Sequence, residues 1–165
     1  MQRLSAFLLS LLLFASVAGA QTRDTGALSR DIRIAAQGPW TVDCTPEPQT
    51  GEKWCQVGTI FESNEPPYSL QFNYVRDTRM FFAMGAVRLT GVHLQVDGQA
   101  AFTLDRCLGG ICMLKGAEAE RLLQLLRAGK QLSLRFESQT RLPPLLTVDL
   151  AAFEPMYRRA LAAPK

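Results

Sequence analysis

His93 is the single histidine in the chain, so any mechanism of the Ser-His-Asp or Cys-His kind has to run through it. It lies between Val92 and Leu94 in an alternating run, on the polar side of an expected strand. No serine sits in a G-x-S-x-G turn of the sort that lifts a nucleophile clear of a sheet. His93 therefore reads as a solvated strand residue. Asp97, Asp105 and Asp149 are the carboxylates to try as an acid–base pair. Asp97 already has a turn role and no spacing links the others, so glycoside hydrolysis is not indicated. One histidine leaves no multi-histidine metal site, and the cysteines lack the C-x2-C half-sites that zinc uses. The expectation is no enzyme, no cofactor and no metal.

Cys44, Cys55, Cys107 and Cys112 carry what chemistry is left. The last two are spaced C-x4-C rather than the C-x-x-C of a redox pair, so all four read as structural disulfides. Four cysteines allow three pairings, and sequence alone does not choose among them. Chain entropy and strand parity both favour Cys44 with Cys55 and Cys107 with Cys112. Trp40, Val42 and Cys44 share one strand face, and Cys55 shares a face with Val57 and Phe61. Pro46, Pro48 and Gly51 between them have the composition of a hairpin loop. Gly109 and Gly110 permit the tight reversal that the second bridge needs. Loop-closure entropy assigns each ring about 2–3 kcal/mol.

Binding is the remaining possibility. Met80, Phe81, Phe82, Ala83 and Met84 form the most apolar run after the N-terminal segment. Met and Phe together make adaptable contact surfaces, so this run is a candidate for partner contact. The competing reading is a strand buried on both faces or an edge covered by a helix. Arg76, Arg79 and Arg88 flank the run, either as a polar rim or as solubilising neighbours. Trp40 is expected to pack on a disulfide in the core. Trp54 falls on the opposite strand face from Cys55, which makes it the better candidate for exposure and partner contact. A loop over residues 62–68, stiffened by Pro66 and Pro67, is a second place where a partner's cleft could be entered.

These residues need a frame. The chain has 165 residues, 18 Lys+Arg against 15 Asp+Glu, and 47% hydrophobic residues, which is material for one domain. A net charge of +3 with scattered arginines is not a nucleic-acid footprint. Residues 1–20 read as a secretory signal peptide: Arg3, a Leu-rich run, then Ala18-Gly19-Ala20, with cleavage expected near Ala20. The apolar run spans about 21 Å as a helix, short of a bilayer core of about 30 Å. No other segment is long and apolar enough to span. The expected location is periplasmic or secreted, where the cysteines oxidise.

Residues 21–37 read as a flexible lead-in, and the domain is expected over residues 38–163. Period-2 alternation dominates it: Leu70, Phe72 and Tyr74; Val92, Leu94 and Val96; Leu132, Leu134 and Phe136; Leu146, Val148 and Leu150. Asp97-Gly98 signals a hairpin. Parity favours a three-residue loop over residues 96–98, pairing Leu94 with Ala100 and Val92 with Phe102, with Gly98 left-handed in a G1 bulge. Ala119, Leu122, Leu123 and Leu126 follow i, i+3, i+4, i+7 and predict a helix over 117–128, with Gly129 as its C′ residue. A weaker helix is predicted from about Ala151 to Ala162, with Pro155 in its first turn. Pro66-Pro67 and Pro143-Pro144 mark loops. The fold class is mainly β, an antiparallel β-sandwich or partly closed barrel with one packed helix and a short C-terminal one.

The ordered set Gly38-Pro39-Trp40-Thr41-Val42-Asp43-Cys44, Cys55, Gly91-Val92-His93-Leu94-Gln95-Val96-Asp97, Cys107-Leu108-Gly109-Gly110-Ile111-Cys112, the Leu-rich helix ending Ala128-Gly129-Lys130, and Leu146-Thr147-Val148-Asp149-Leu150-Ala151-Ala152-Phe153 resembles the invasion-associated locus B family of secreted bacterial proteins. The resemblance covers residues 38–161. Ala152 departs from a glycine common before the late Phe. The resemblance implies structural cysteines and an exported, non-enzymatic protein that binds a protein or cell-surface component, with a link to host-cell interaction or virulence. It supplies no catalytic or ligand residue, and invasion itself attaches to context rather than to a site. The expected partner is an envelope or host-surface protein. The alternative is a periplasmic enzyme inhibitor or small-ligand-binding protein.

Overall fold

The computed structural model describes residues 33–35, 40–46, 53–64, 67–138 and 145–163. The expected signal peptide and its cleavage site, Gly38-Pro39, Pro66 and Pro143-Pro144 lie outside the described residues. In chain order the elements are β1 (Arg33–Ala35), β2 (Thr41–Pro46), β3 (Lys53–Asn64), β4 (Pro67–Val75), β5 (Met80–Gly85), β6 (Leu89–Val96), β7 (Ala100–Leu104), β8 (Arg106–Leu108), β9 (Ile111–Leu114), α1 (Ala117–Ala128), β10 (Gln131–Ser138), β11 (Leu145–Asp149) and α2 (Phe153–Ala162).

The strands form two sheets, in the orders β1-β11-β10-β6-β7 and β2-β3-β4-β5-β9-β8. All pairings are antiparallel except β1 with β11. This is a β-sandwich with two helices, and neither sheet closes into a barrel. Alternation supplies its core. Val57, Phe61, Leu70, Phe72 and Phe81 come from the second sheet, and Val92, Leu94, Leu104, Leu132, Leu134 and Leu146 from the first.

α1 occupies the predicted residues and buries the predicted four, Ala119, Leu122, Leu123 and Leu126. Gly129 ends it in extended backbone rather than the expected left-handed C′ form. Glycine is needed there for space. A Cβ would stand 2.6 Å from Val96 Cγ1 and 2.8 Å from the Leu125 carbonyl oxygen. α2 starts at Phe153, which places Pro155 in the first turn, where the missing N–H has no helical partner to lose.

Two sequence expectations are corrected. Residues 33–35, inside the segment read as a lead-in, form edge strand β1 against β11. Edge pairing is made by backbone groups, and no side-chain pattern announces it. The β6–β7 hairpin has the expected three-residue length but lies one residue later. Val96 faces Ala100, Leu94 faces Phe102 and Val92 faces Leu104. Asp97 as well as Gly98 takes positive φ, 51° and 70°, the sign pattern of a type I′ turn. Aspartate tolerates this because its carboxylate is tied down, accepting the N–H groups of Lys130 at 3.0 Å and Gln131 at 2.9 Å.

Candidate functional site

Four stretches far apart in sequence meet at one end of the second sheet. Thr45, Lys53 and Trp54 come from the β2–β3 hairpin, Arg76, Asp77 and Arg79 from the β4–β5 turn, and Glu120, Tyr157 and Leu161 from the helices. With Tyr74 at the base they line an open groove of about 1050 Å³.

Arg76 ties the β4–β5 turn to the β2–β3 hairpin and to α2. Its side chain is only 7% exposed. Nη1 donates to the carbonyls of Ala160 at 2.9 Å and Ala163 at 3.0 Å, at the end of α2. Nη2 donates to the Lys53 carbonyl at 3.0 Å, and Nε to Asp77 Oδ1 at 2.9 Å. Asp77 Oδ2 in turn accepts the Cys55 N–H at 3.3 Å. A helix C-terminus leaves carbonyls unpaired and carries partial negative charge, so a buried guanidinium fits it on both counts.

The groove wall is aromatic and its rim is charged. Trp54 is 40% exposed and Leu161 52%. Tyr74 packs edge-on to Tyr157 with ring centroids 5.8 Å apart. Burial, helped by Tyr157 and Glu120, pushes the Tyr74 hydroxyl up to about 12, so it stays protonated. Arg79 stands on the rim with φ 49°, a strained backbone for a non-glycine. Its mostly exposed guanidinium lies 3.6 Å from Glu120. The arrangement offers an apolar anchor point beside both signs of charge.

The helical wall is clamped by Glu154. Arg127 of α1 donates to it twice, at 2.6 and 3.1 Å, and Arg158 once, at 2.8 Å. The hydrogen bonds from Arg127, then Arg158, hold the Glu154 carboxyl down at about 2. A depressed carboxylate stabilises the folded chain above its unfolded pKa, and that stabilisation is lost as pH falls toward the folded value. Glu154→Gln is therefore expected to be about 1 kcal/mol less stable than the parent at pH 7, the partners being partly solvated. The gap should close as pH falls through about 4 toward 2. Urea titrations at pH 7, 4 and 2.5 check this.

The residues singled out in the sequence are distributed as follows. Cys44 is bonded to Cys55 and Cys107 to Cys112, each pair directly opposite across neighbouring strands. Trp54 lines the groove. The run 80–84 is β5, an inner strand between β4 and β9. Its residues alternate: Phe81 and Ala83 are fully buried, whereas Met80 and Phe82 are half-buried and Met84 is exposed on the outer face. Phe81 is thus corrected from a candidate contact to a core residue, stacked on Phe72 at 5.5 Å. Trp40 is buried as expected, but its ring partners are Phe153 at 4.8 Å and Phe72 at 6.3 Å. Of the expected loop over residues 62–68, residues 62–64 and 67–68 are paired strand instead. Asn64 faces Pro67 in the β3–β4 ladder, which leaves only residues 65 and 66 between the strands.

His93 projects from the outer face of the first sheet. Its Nε2 lies 2.9 Å from Glu137 Oε1 and its Nδ1 3.2 Å from Thr103 Oγ1. The order Thr-His-Glu has the outline of a hydrolytic triad, but all three are exposed to solvent on a strand face and none lines the groove. Among the described residues, no three His, Cys, Asp or Glu side chains are grouped to hold a metal ion. No described helix is long and apolar enough to cross a membrane.

No family model matches the chain, and no curated protein matches it. Among solved structures it is similar to the crystal structure of invasion associated protein B from Bartonella henselae, with a TM-score of 0.50 and 22% identity, covering 76% of this chain and 93% of that one. The two share a fold. The resemblance read from the cysteines and the strand pattern stands at that level.

Arg76, Arg79, Tyr74 and Tyr157 were not signalled as a site by the sequence. Arg76 and Arg79 registered only as neighbours of an apolar strand, because nothing in the chain announces that residue 76 meets residue 160. The one available hint was Arg76-Asp77, a charged pair that abruptly ends the alternation of β4.

Proposed function

We propose that the chain is exported by its N-terminal hydrophobic segment, cleaved near Ala20, and acts in the periplasm or outside the cell as a non-enzymatic binding protein of the invasion-associated locus B kind. The groove carries the reading. It joins a half-exposed indole and an exposed leucine to a rim of Lys53, Arg79, Asp77 and Glu120, the mixture that protein contact surfaces favour. Its open form suits a segment of another protein better than a small molecule, which a pocket usually buries by about 70–90%. Two formed disulfides suit an oxidising compartment. The partner is an envelope protein or a host-surface protein. A periplasmic enzyme inhibitor or small-ligand-binding protein is the alternative reading.

The test places a photo-crosslinking amino acid at Trp54 in the native cell, with Gln95 on the far sheet as control. A defined protein captured from position 54 and not from 95 is the expected result. Trp54→Ala should then weaken binding of that captured protein by about 30-fold or more without changing the fold. Identical bulk capture from both positions would sink the proposal.

A further inference from the structure

The register of β2 leaves one set of its backbone groups without a strand to meet. Arg76 N–H donates to the Cys55 carbonyl at 3.0 Å, so the main chain of Cys55 faces β4. In an antiparallel ladder that direction alternates residue by residue. Trp54, Gln56 and Gly58 therefore bond β2, through their partners Thr45, Asp43 and Thr41. Val42, Cys44 and Pro46 are the non-bonded positions, and their backbone points away from β3. The Cys44–Cys55 bridge agrees. Its Cα atoms stand 4.1 Å apart, the close spacing of a pair that exchanges no hydrogen bond. Among the described residues, no backbone group meets the N–H and C=O of Val42 and Cys44.

The two sheets end in β1, β7, β2 and β8. β1 and β8 have three residues each, and β7 runs through Asp105 straight into β8 of the other sheet. β2 has six, none of them buried. Sheets commonly blunt such an edge with lysine, proline or a bulge. β2 has no basic residue, its ladder with β3 is unbroken, and Pro46 stands at its last position. Its side chains add a pattern. Val42 and Cys44 pack toward the core, and Asp43 lies on the opposite, exposed side. Among the described residues its carboxylate meets no cation, only the Thr45 hydroxyl at 3.4 Å and the Gln56 amide at 3.5 Å.

We propose that β2 takes an extended segment of a partner protein as an added antiparallel strand. Two alternate residues of that segment exchange both N–H and C=O bonds with Cys44 and Val42. Their side chains lie beside Val42 and Cys44 and are apolar. The residue between them stands directly opposite Asp43 and is Lys or Arg, the cross-strand pair that an unpaired carboxylate favours. Antiparallel pairing brings the segment in at the Pro46 end. Thr45 and Pro46 are also groove residues, so the part that precedes the ladder enters the groove toward Trp54. The inference rests on the reading of the chain as a protein-binding protein and gives the partner a motif, apolar-basic-apolar. A second copy is the poorer occupant. Pairing Val42 of each β2 with Cys44 of the other sets two Asp43 carboxylates directly opposite, and like charges there destabilise.

The probe is a displayed library of random peptides of about twelve residues, selected on the protein. Enriched peptides are expected to carry the apolar-basic-apolar triplet. Amide exchange by NMR reads the register. Bound peptide should slow the Val42 and Cys44 amides at least about tenfold, while Asp43 and Thr45, already bonded to β3, change little. Methylating the backbone nitrogen of either apolar triplet residue should abolish binding. The same change at the basic residue should not, since its N–H faces away from β2. Val42→Pro removes a donor that β3 does not use, so it should keep the far-UV circular dichroism and weaken binding at least about tenfold. Asp43→Lys should turn the preference from a basic to an acidic central residue. Failure to enrich any peptide, or peptides that leave Val42 and Cys44 exchange unchanged, overturns the proposal. So does sedimentation showing the edge taken by a second copy. A protein captured at Trp54 that binds Val42→Pro undiminished overturns it as well, but leaves the groove reading standing. Edge-bound peptides with no capture at Trp54 would do the reverse.

Discussion

Arg76→Ala is expected to lower folding stability by about 3–5 kcal/mol, the range for removing one partner from a buried charged network. The truncation leaves the carbonyls of Ala160, Ala163 and Lys53 without their donor, and Asp77 without its cation. Arg76→Met separates hydrogen bonding from packing. It restores much of the volume but none of the donors, so it should remain almost as unstable as the alanine variant. Arg76→Lys keeps the charge but not the planar fork that reaches three carbonyls and a carboxylate, and should recover only part of the loss. Urea unfolding measures the change. Hydrogen exchange locates it: amides of α2 should lose protection before those of β3 to β6. A methionine variant as stable as the parent would show that the guanidinium contributes shape alone.

Phe153→Ala attacks the other end of the same helix and is expected to cost about 3–5 kcal/mol, as buried aromatic truncations do. Phe153 is fully buried. It meets Trp40 edge-on at 4.8 Å and stacks near Tyr157 at 6.4 Å. Trp40 is fixed in turn by donating Nε1–H to the Asp149 carbonyl at 2.8 Å, so little can move to fill the cavity. Phe153→Leu keeps more of the volume and should lose about 1–2 kcal/mol. Arg76 and Phe153 both secure α2, and a helix released once cannot be released again. The double variant should therefore be less unstable than the two single losses combined. Full additivity would mean the two ends of α2 are held independently.

Legibility in the sequence followed the range of the interactions. Local patterns were readable. The spacing of Ala119, Leu122, Leu123 and Leu126 set the helix and its buried face, and the parity of Cys44 and Cys55 pointed to a bond that the register places directly across two strands. The hairpin at Asp97 was half readable. Loop length follows from which side chains must face inward, but its placement depended on Asp97 bonding residues 33 and 34 positions away. The groove was almost silent. Trp54 could be assigned to an outer face by parity, yet its neighbours Arg79, Glu120 and Tyr157 are brought together only by the packing of α1 and α2 over the turn. The 80–84 run was ambiguous because an inner strand with an apolar outer face reads like a strand buried on both sides. Phe81 and Met84 differ in exposure, not in hydrophobicity.

Each disulfide joins consecutive cysteines, 11 and 5 residues apart, and neither links one sheet to the other. Under the proposed export, N-terminus first into an oxidising compartment, that order matters. Cys44 meets Cys55 while Cys107 has yet to emerge, so the first thiol pair is already consumed before a wrong partner arrives. Maturation then calls for a thiol oxidase but no disulfide isomerase, and a cell lacking the isomerase should still accumulate the correctly bridged protein.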